Sequence, residues 1–325
     1  MARFEDFTPA GVIPAALLPF TPDFSIDAAG ARRHFEHLGN VDGLSALTVN
    51  GHSSEIHACT IDDQAHVLDI ATKAVGDRLP VISGVYSDNT LEAARVAKMA
   101  ADHGASALLI FPPHSIGAGG GQTRPEMARV HLSTIAAATD LPLIVFQYDG
   151  PYAYRLDNLI RLCEEIPSIR AVKDKSPPPL HERTILELQG LSRPVNVLTT
   201  CSAWLMSSLV MGAAGVLSGS GSIIADLHVA LWRAVQADDL KTAKEISARI
   251  YPTAQCFYSQ PICDQHNRMK EALVMLGRLD GPAIVRPPLM KLGEAELAKI
   301  RKAIDAAGLD EYGAKGLERL PVAAE

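Results

Sequence analysis

The chain has 325 residues, of which 47% are hydrophobic and 21% charged, and its net charge is −7. This is the composition of a packed protein with room for a large core rather than of a disordered one, and the acidic balance leaves no basic stripe for a phosphate backbone, so no nucleic-acid partner is expected. No apolar run reaches the roughly 20 residues of a bilayer span, so no membrane partner is expected either.

The start, MARFEDFTPAG, carries acidic residues early and has no apolar h-region, so it does not read as a secretory signal. The cysteines, Cys59, Cys163, Cys201, Cys256 and Cys263, are odd in number and scattered, which points to free thiols in a reducing compartment. The expected location is cytoplasmic. From there eight short apolar runs follow in order: VIPAALLPF (12–20), GLSALTVN (43–50), LPVISGV (79–85), ALLIFPP (107–113), LPLIVFQY (141–148), IRAVKDK (169–175), VNVLTT (195–200) and GVLSGSG (215–221). Between them lie amphipathic stretches such as TIDDQAHVLDIATKAVG and DNTLEAARVAKMAADHG, each with Asp or Thr near its start and glycine at its end, as helix caps require. Parallel strands need helical crossovers and closure removes both sheet edges, so the alternation predicts an α/β fold, a (β/α)8 TIM barrel, over residues 10–224. An open doubly wound sheet is the alternative. Beyond residue 222 the strand pattern stops, and segments such as DDLKTAKEISARIYPTAQCF and GEAELAKIRKAIDAAG predict a C-terminal helical extension over 225–310, followed by a loosely held tail, 311–325.

In such a barrel the chemistry belongs to the C-terminal ends of the strands and the loops after them. After the second strand, NGHSSE offers backbone N–H groups in a glycine-containing turn together with the hydroxyls of Ser53 and Ser54, a set that binds a carboxylate without a formal positive charge. Glu55 is expected to cap that loop by accepting its backbone hydrogens, and His52 reads either as a turn residue or as an acid/base group; a hydrogen-bonded loop without a ligand is the other reading. GAGGGQ (117–122) lacks the Lys-Ser/Thr of a P-loop and reads as a lid-like connection. In the fifth strand Phe146 and Tyr148 share a face, and Tyr148 either presents its phenol to a substrate or packs. In the sixth, Ala171, Lys173 and Lys175 share a face, which suits a barrel interior better than an outer surface against helices. A lysine among apolar strand residues, with a second ammonium one rung away, has its charged form disfavoured, and a neutral amine attacks carbonyls to form an iminium that stabilises a neighbouring carbanion. The competing reading is a solvent-facing lysine at a strand end. SGSGS (218–222) either binds phosphate or, through Gly219, makes room for a substrate. Cys256, Cys263 and His266 can be read as metal ligands, but no second CxxC supports a metal, and none is expected.

In order and spacing these segments resemble the dihydrodipicolinate synthase and N-acetylneuraminate lyase family of class I, Schiff-base lyases, over about residues 10–307. The carriers are GVIPAALLPF, GHSSE where the family commonly has Gly-Thr-Thr-Gly-Glu, PVISGV, IRAVKDK, GAAGVLSGSG and VRPPLMKL. The resemblance implies a barrel with a C-terminal helical domain, a homotetramer, and action on pyruvate or another 2-keto acid without metal or organic cofactor. It implies that Lys173 forms the iminium and that Gly51, Ser53 and Ser54 belong to the carboxylate-binding loop. The chain also departs from the family. Phe146 stands where the catalytic tyrosine is usual, leaving Tyr148, one rung along, to replace it. His52 stands for the first threonine of the loop, and His114 aligns with the tyrosine that a neighbouring subunit often supplies, which makes it a candidate for a relay at the subunit interface. The arginine expected shortly after the strand-five tyrosine falls near Pro151, which does not support condensation with aspartate semialdehyde. The expected reaction is therefore aldol cleavage or dehydration of a 2-keto-3-deoxy sugar acid, with Tyr148 or His52 moving protons. Deamination of a cyclic imine and a catalytically silent keto-acid-binding barrel are the alternatives.

Overall fold

The structure, a computed structural model, describes residues 4, 7–200 and 204–317. Eight strands form one parallel sheet: β1 (Gly11–Pro14), β2 (Leu47–Val49), β3 (Val81–Val85), β4 (Ala107–Ile110), β5 (Leu143–Gln147), β6 (Ile169–Asp174), β7 (Asn196–Thr199) and β8 (Gly215–Ser218). Their order is β1-β8-β7-β6-β5-β4-β3-β2. Single parallel bridges, Val12 to Leu44 and Ala15 to Thr48, bring the two end strands together and nearly close the barrel. The opening strand is shorter than its apolar run because Pro14 and Pro19 offer no N–H to a ladder.

Twelve helices occur among the described residues: α1 (Ala28–Gly39), α2 (Ile61–Val75), α3 (Thr90–Asp102), α4 (His114–Ala118), α5 (Pro125–Ala136), α6 (Leu156–Glu165), α7 (Pro178–Gln189), α8 (Leu205–Val210), α9 (Gly221–Gln236), α10 (Leu240–Phe257), α11 (Gln265–Met275) and α12 (Glu294–Ala307). At α2 the expected Thr is the cap, Thr60 and Asp63 making a reciprocal capping box; at α3 the cap is Asn89 rather than the neighbouring Asp or Thr, and it accepts from Leu91 and Glu92. None of these helices is long and apolar enough to cross a membrane.

Alternation along the strands separates two apolar layers. Ile13, Ile82, Leu109, Ile144, Ala171, Leu198 and Leu217 fill the barrel interior, while Leu47, Val81, Leu108, Val145, Val172, Val197 and Val216 belong to the layer under the helices. Four helices, α9 to α12, follow the last strand; α9 is broken at Ile224, whose φ of −124° and ψ of 36° are not helical. In the expected tail the Ala314 amide donates to Asp226 and Leu317 packs on the core, while Tyr312 is exposed; 318–325 lie outside the described residues. GAGGGQ is partly helical, covering the end of α4 and a 3-10 turn at Gly121–Thr123.

Candidate active site

Lys173 is the fifth residue of β6, on the inward face with Ala171 and paired in register with Phe146 of β5 and Leu198 of β7. Its side chain is 7% exposed. Its Nζ lies 4.2 Å from the centroid of the Phe146 ring and has no hydrogen bond or ion pair among the described residues. Burial, and secondarily the Lys175 ammonium, push its pKa down to about 7, so at neutral pH a large part of the population carries a free lone pair. Lys175, one rung further out, is half-exposed and faces Asp149 at 3.6 Å.

The loop after β2 is built to approach this amine. Asn50 (φ 53°) and Glu55 (φ 54°) both take the left-handed conformation and bracket a 3-10 turn, His52–Ser54. Asn50 is held by hydrogen bonds from its Nδ2 to the Gln64 carbonyl (2.9 Å) and Ser83 Oγ (3.1 Å). The N–H groups that open a helical turn have no partner inside it, so they remain for a ligand. Glu55 is completely buried, and it caps not its own loop but a distant one. One carboxylate oxygen accepts from Lys270 Nζ of α11 and the other from the Arg286 amide at 2.9 Å. Removing one member of such a pair leaves a buried charge uncompensated, at a cost of about 3–5 kcal/mol. The turn is thus bolted to the C-terminal helices.

The imidazole of His52 meets Tyr148 from the end of β5: the phenol oxygen lies 3.0 Å from Nδ1 and 3.2 Å from Nε2. Phe111 packs on the same ring, with centroids 4.6 Å apart. Burial, with smaller contributions from His266, Lys173, His114 and His57, holds the His52 pKa well below its ordinary value, and burial pushes the Tyr148 pKa well above its own. Both groups are therefore neutral at physiological pH, and the phenol is a donor next to an unprotonated imidazole nitrogen. His114 reaches this aromatic cluster from within the same chain: its Nδ1 pairs with Tyr86 Oη at 3.2 Å and its ring centroid is 5.6 Å from that of Tyr148.

A cavity of about 370 Å³ joins these groups, with Lys173, His52, Ser53, Tyr148 and Gly219 in its wall. Of the residues singled out from the sequence, Gly51, Ser54 and His114 are not part of that wall. The Ser54 hydroxyl donates to the Ala16 carbonyl at 2.8 Å, so it holds the loop against the segment that follows β1 rather than facing the cavity. A side chain at Gly219 would meet Ser53 Oγ at 2.9 Å and His266 Nε2 at 3.5 Å, so the glycine keeps this side of the cavity open.

The far wall comes from segments that carry no strand motif. Gln255, Tyr258, Ser259, Gln265 and His266, from the end of α10 to the start of α11, cover the cavity, and Thr200 adds a hydroxyl after β7. The Tyr258 hydroxyl accepts from the Ser220 amide (3.2 Å) and pairs with Ser218 Oγ (3.2 Å), fixing α10 to the end of β8. Only the grouping of His266 with Cys256 and Cys263 drew attention to this region, as possible metal ligands. Among the described residues no three His, Cys, Asp or Glu side chains are arranged to hold a metal.

A profile of the dihydrodipicolinate synthetase family matches residues 8–307. A 4-hydroxy-tetrahydrodipicolinate synthase of Salinibacter ruber is 30% identical over 295 residues, covering 87% of this chain and 90% of that protein. The enzyme of the same name from Moorella thermoacetica is 29% identical over 305 residues, with 92% and 98% covered. Among solved structures, the dihydrodipicolinate synthase of Thermotoga maritima superposes with a TM-score of 0.81 at 19% identity, covering 93% of this chain and 99% of that one, a likeness of fold.

Proposed function

We propose, because the chain belongs to the dihydrodipicolinate synthetase family and is a lyase of that type, that it cleaves or dehydrates a 2-keto-3-deoxy sugar acid through an iminium on Lys173. The observation that carries this reading is a buried, unpaired amine, with its pKa brought down to about 7, in one cavity with Ser53, His52 and Tyr148. The Lys173 lone pair adds to the C2 carbonyl of the keto acid, and the carbinolamine loses water to leave a protonated imine. Ser53 and the amides opening its turn hold the C1 carboxylate. Loss of a C3 proton gives an enamine, which expels the C4 hydroxyl with a proton as water; in the aldol direction, removal of the C4 hydroxyl proton breaks C3–C4 and releases an aldehyde. The His52–Tyr148 pair moves these protons: the neutral imidazole accepts, and the phenol, which burial keeps protonated, donates.

The choice of substrate is supported by the neutral hydrogen-bonding groups of the far wall, Thr200, Gln255, Ser259 and Gln265, which suit hydroxyls. It is also supported by the exposed Pro151 in the segment where a second carboxylate would call for an arginine. The proposal keeps the division into barrel (10–224), helical unit (225–310) and tail (311–325), and a homotetramer, which light scattering tests. The central experiment is borohydride reduction with pyruvate, expected to add the keto acid's mass to the peptide carrying Lys173. A panel of sugar-derived keto acids should then reveal one that releases pyruvate or loses water, in wild type and not in Lys173→Ala. An unmodified Lys173 under saturating pyruvate would refute the reading.

A further inference from the structure

We propose that His266 is a substrate-binding residue, its Nε2 donating to the keto acid's carboxylate opposite the Ser53 hydroxyl, so that the C-terminal helices complete the anion site; this rests on the keto-acid reading above.

Three observations converge on it. The first is position. The missing side chain of Gly219 marks a point close to both Ser53 Oγ and His266 Nε2, 2.9 Å and 3.5 Å from where its Cβ would be, and all three residues border the cavity that Lys173 enters. A carboxylate, with two oxygens, can accept from both groups there. The second is what places His266 there. It stands four residues before Lys270, on the same face of α11, and Lys270 is the partner of Glu55, which follows Ser53 by two. One buried ion pair therefore sets the separation of the serine turn and the imidazole, and these two pieces of chain meet nowhere in sequence. Asn267, the next residue, donates from Nδ2 to the Met290 carbonyl at 2.6 Å and fixes the start of the helix from the other side. The third is availability: the His266 ring forms no hydrogen bond with any described residue and is only part-buried, so its nitrogens are open to a ligand.

The arrangement also makes electrostatic sense. Burial, followed by the Lys173 and Lys270 charges, pushes the His266 pKa down to about 3, so the imidazole is neutral and adds no cation that would compete with Lys173 for the free-amine state. A carboxylate placed between Ser53 and His266 receives two hydrogen bonds and lies near the iminium once this has formed. His266 is distinct from the proton-moving pair, since Tyr148 Oη is taken by His52.

The test compares two ketones of similar size in the same reductive trapping: pyruvate, and hydroxyacetone, which has a hydroxymethyl group in place of the carboxylate. His266→Phe keeps the ring volume and removes both nitrogens, with His266→Ala as a second variant should the first not fold. The concentration giving half-maximal trapping of pyruvate is expected to rise about ten- to a hundredfold, as for loss of one hydrogen bond to a charged group, while trapping of hydroxyacetone stays within about twofold of wild type on the same scale. His266→Gln, which retains a donor, should recover part of the loss. Unchanged pyruvate trapping overturns the proposal, and so does an equal fall for both ketones, because that marks a structural role. A wild type that traps neither overturns the keto-acid reading and this inference with it, whereas a wild type that traps pyruvate independently of residue 266 overturns only the inference.

Discussion

Moving the pH through 7 should switch the nucleophile. Lys173 titrates at about 7 because burial, and to a lesser degree Lys175, disfavour its ammonium form. With that value the neutral fraction is about 3% at pH 5.5 and about 97% at pH 8.5, so the rate of iminium formation should rise about thirtyfold between them and then level. A lysine with the ordinary pKa would be only about 1% neutral at pH 8.5 and would gain about tenfold per further pH unit. The assay mixes enzyme and pyruvate at each pH, quenches with borohydride after increasing delays, and measures the modified Lys173 peptide by mass. Lys175→Gln removes the smaller of the two causes, so its profile should shift to higher pH without losing its plateau. A wild-type rate still climbing tenfold per unit above pH 9 would refute the argument, because it would mean that the cavity does not desolvate the amine.

The same titration has a counterpart in stability. Between about pH 7 and 10.5 the unfolded chain binds a proton at Lys173 that the folded chain does not, so this residue destabilises the fold most below that window, and the cost disappears as pH rises through it. Lys173→Met should therefore gain up to about 5 kcal/mol relative to wild type near pH 6 and much less near pH 10; urea unfolding at both values checks it, and a gain independent of pH contradicts it. Glu55→Gln should lower stability by about 3–5 kcal/mol by stranding Lys270, and the double variant with Lys270→Met should recover most of it, as thermal melts would reveal. Tyr148→Phe, which takes the proton from the His52 contact, should reduce turnover by about 10²–10⁴ while equilibrium trapping of pyruvate persists; parallel loss of both would make Tyr148 a binding residue instead.

Much of this protein is legible in one dimension because its repeating units are local. Strand alternation put Ala171 and Lys173 on one face, and the barrel places both inward, since a one-residue change of facing would turn the lysine into the layer under the helices. Thr60 starts α2 as the sequence suggested, its short side chain reaching an amide three residues on, whereas at α3 the choice among Asp88, Asn89 and Thr90 fell to Asn89. The turn after β2 was legible as a tight glycine-containing turn at the mouth of the barrel, yet the contacts of its side chains were not. Ser54 read as a donor to a ligand and Glu55 as a cap on its own loop, but Ser54 is taken by the Ala16 carbonyl and Glu55 by α11.

What the sequence by itself determined is which residues share a face: the eight-fold alternation, the inward lysine, and a glycine where space is needed. Only the tertiary structure decided who meets whom across the barrel. Tyr148 finds His52 across 96 residues and Lys270 finds Glu55 across 215. His266, isolated in a segment with no motif, becomes part of the cavity wall. The physical reason is that facing follows from the two-residue repeat of a strand and the 3.6-residue turn of a helix, both encoded locally, whereas these encounters are set by barrel closure and by the docking of α10 and α11 at its mouth.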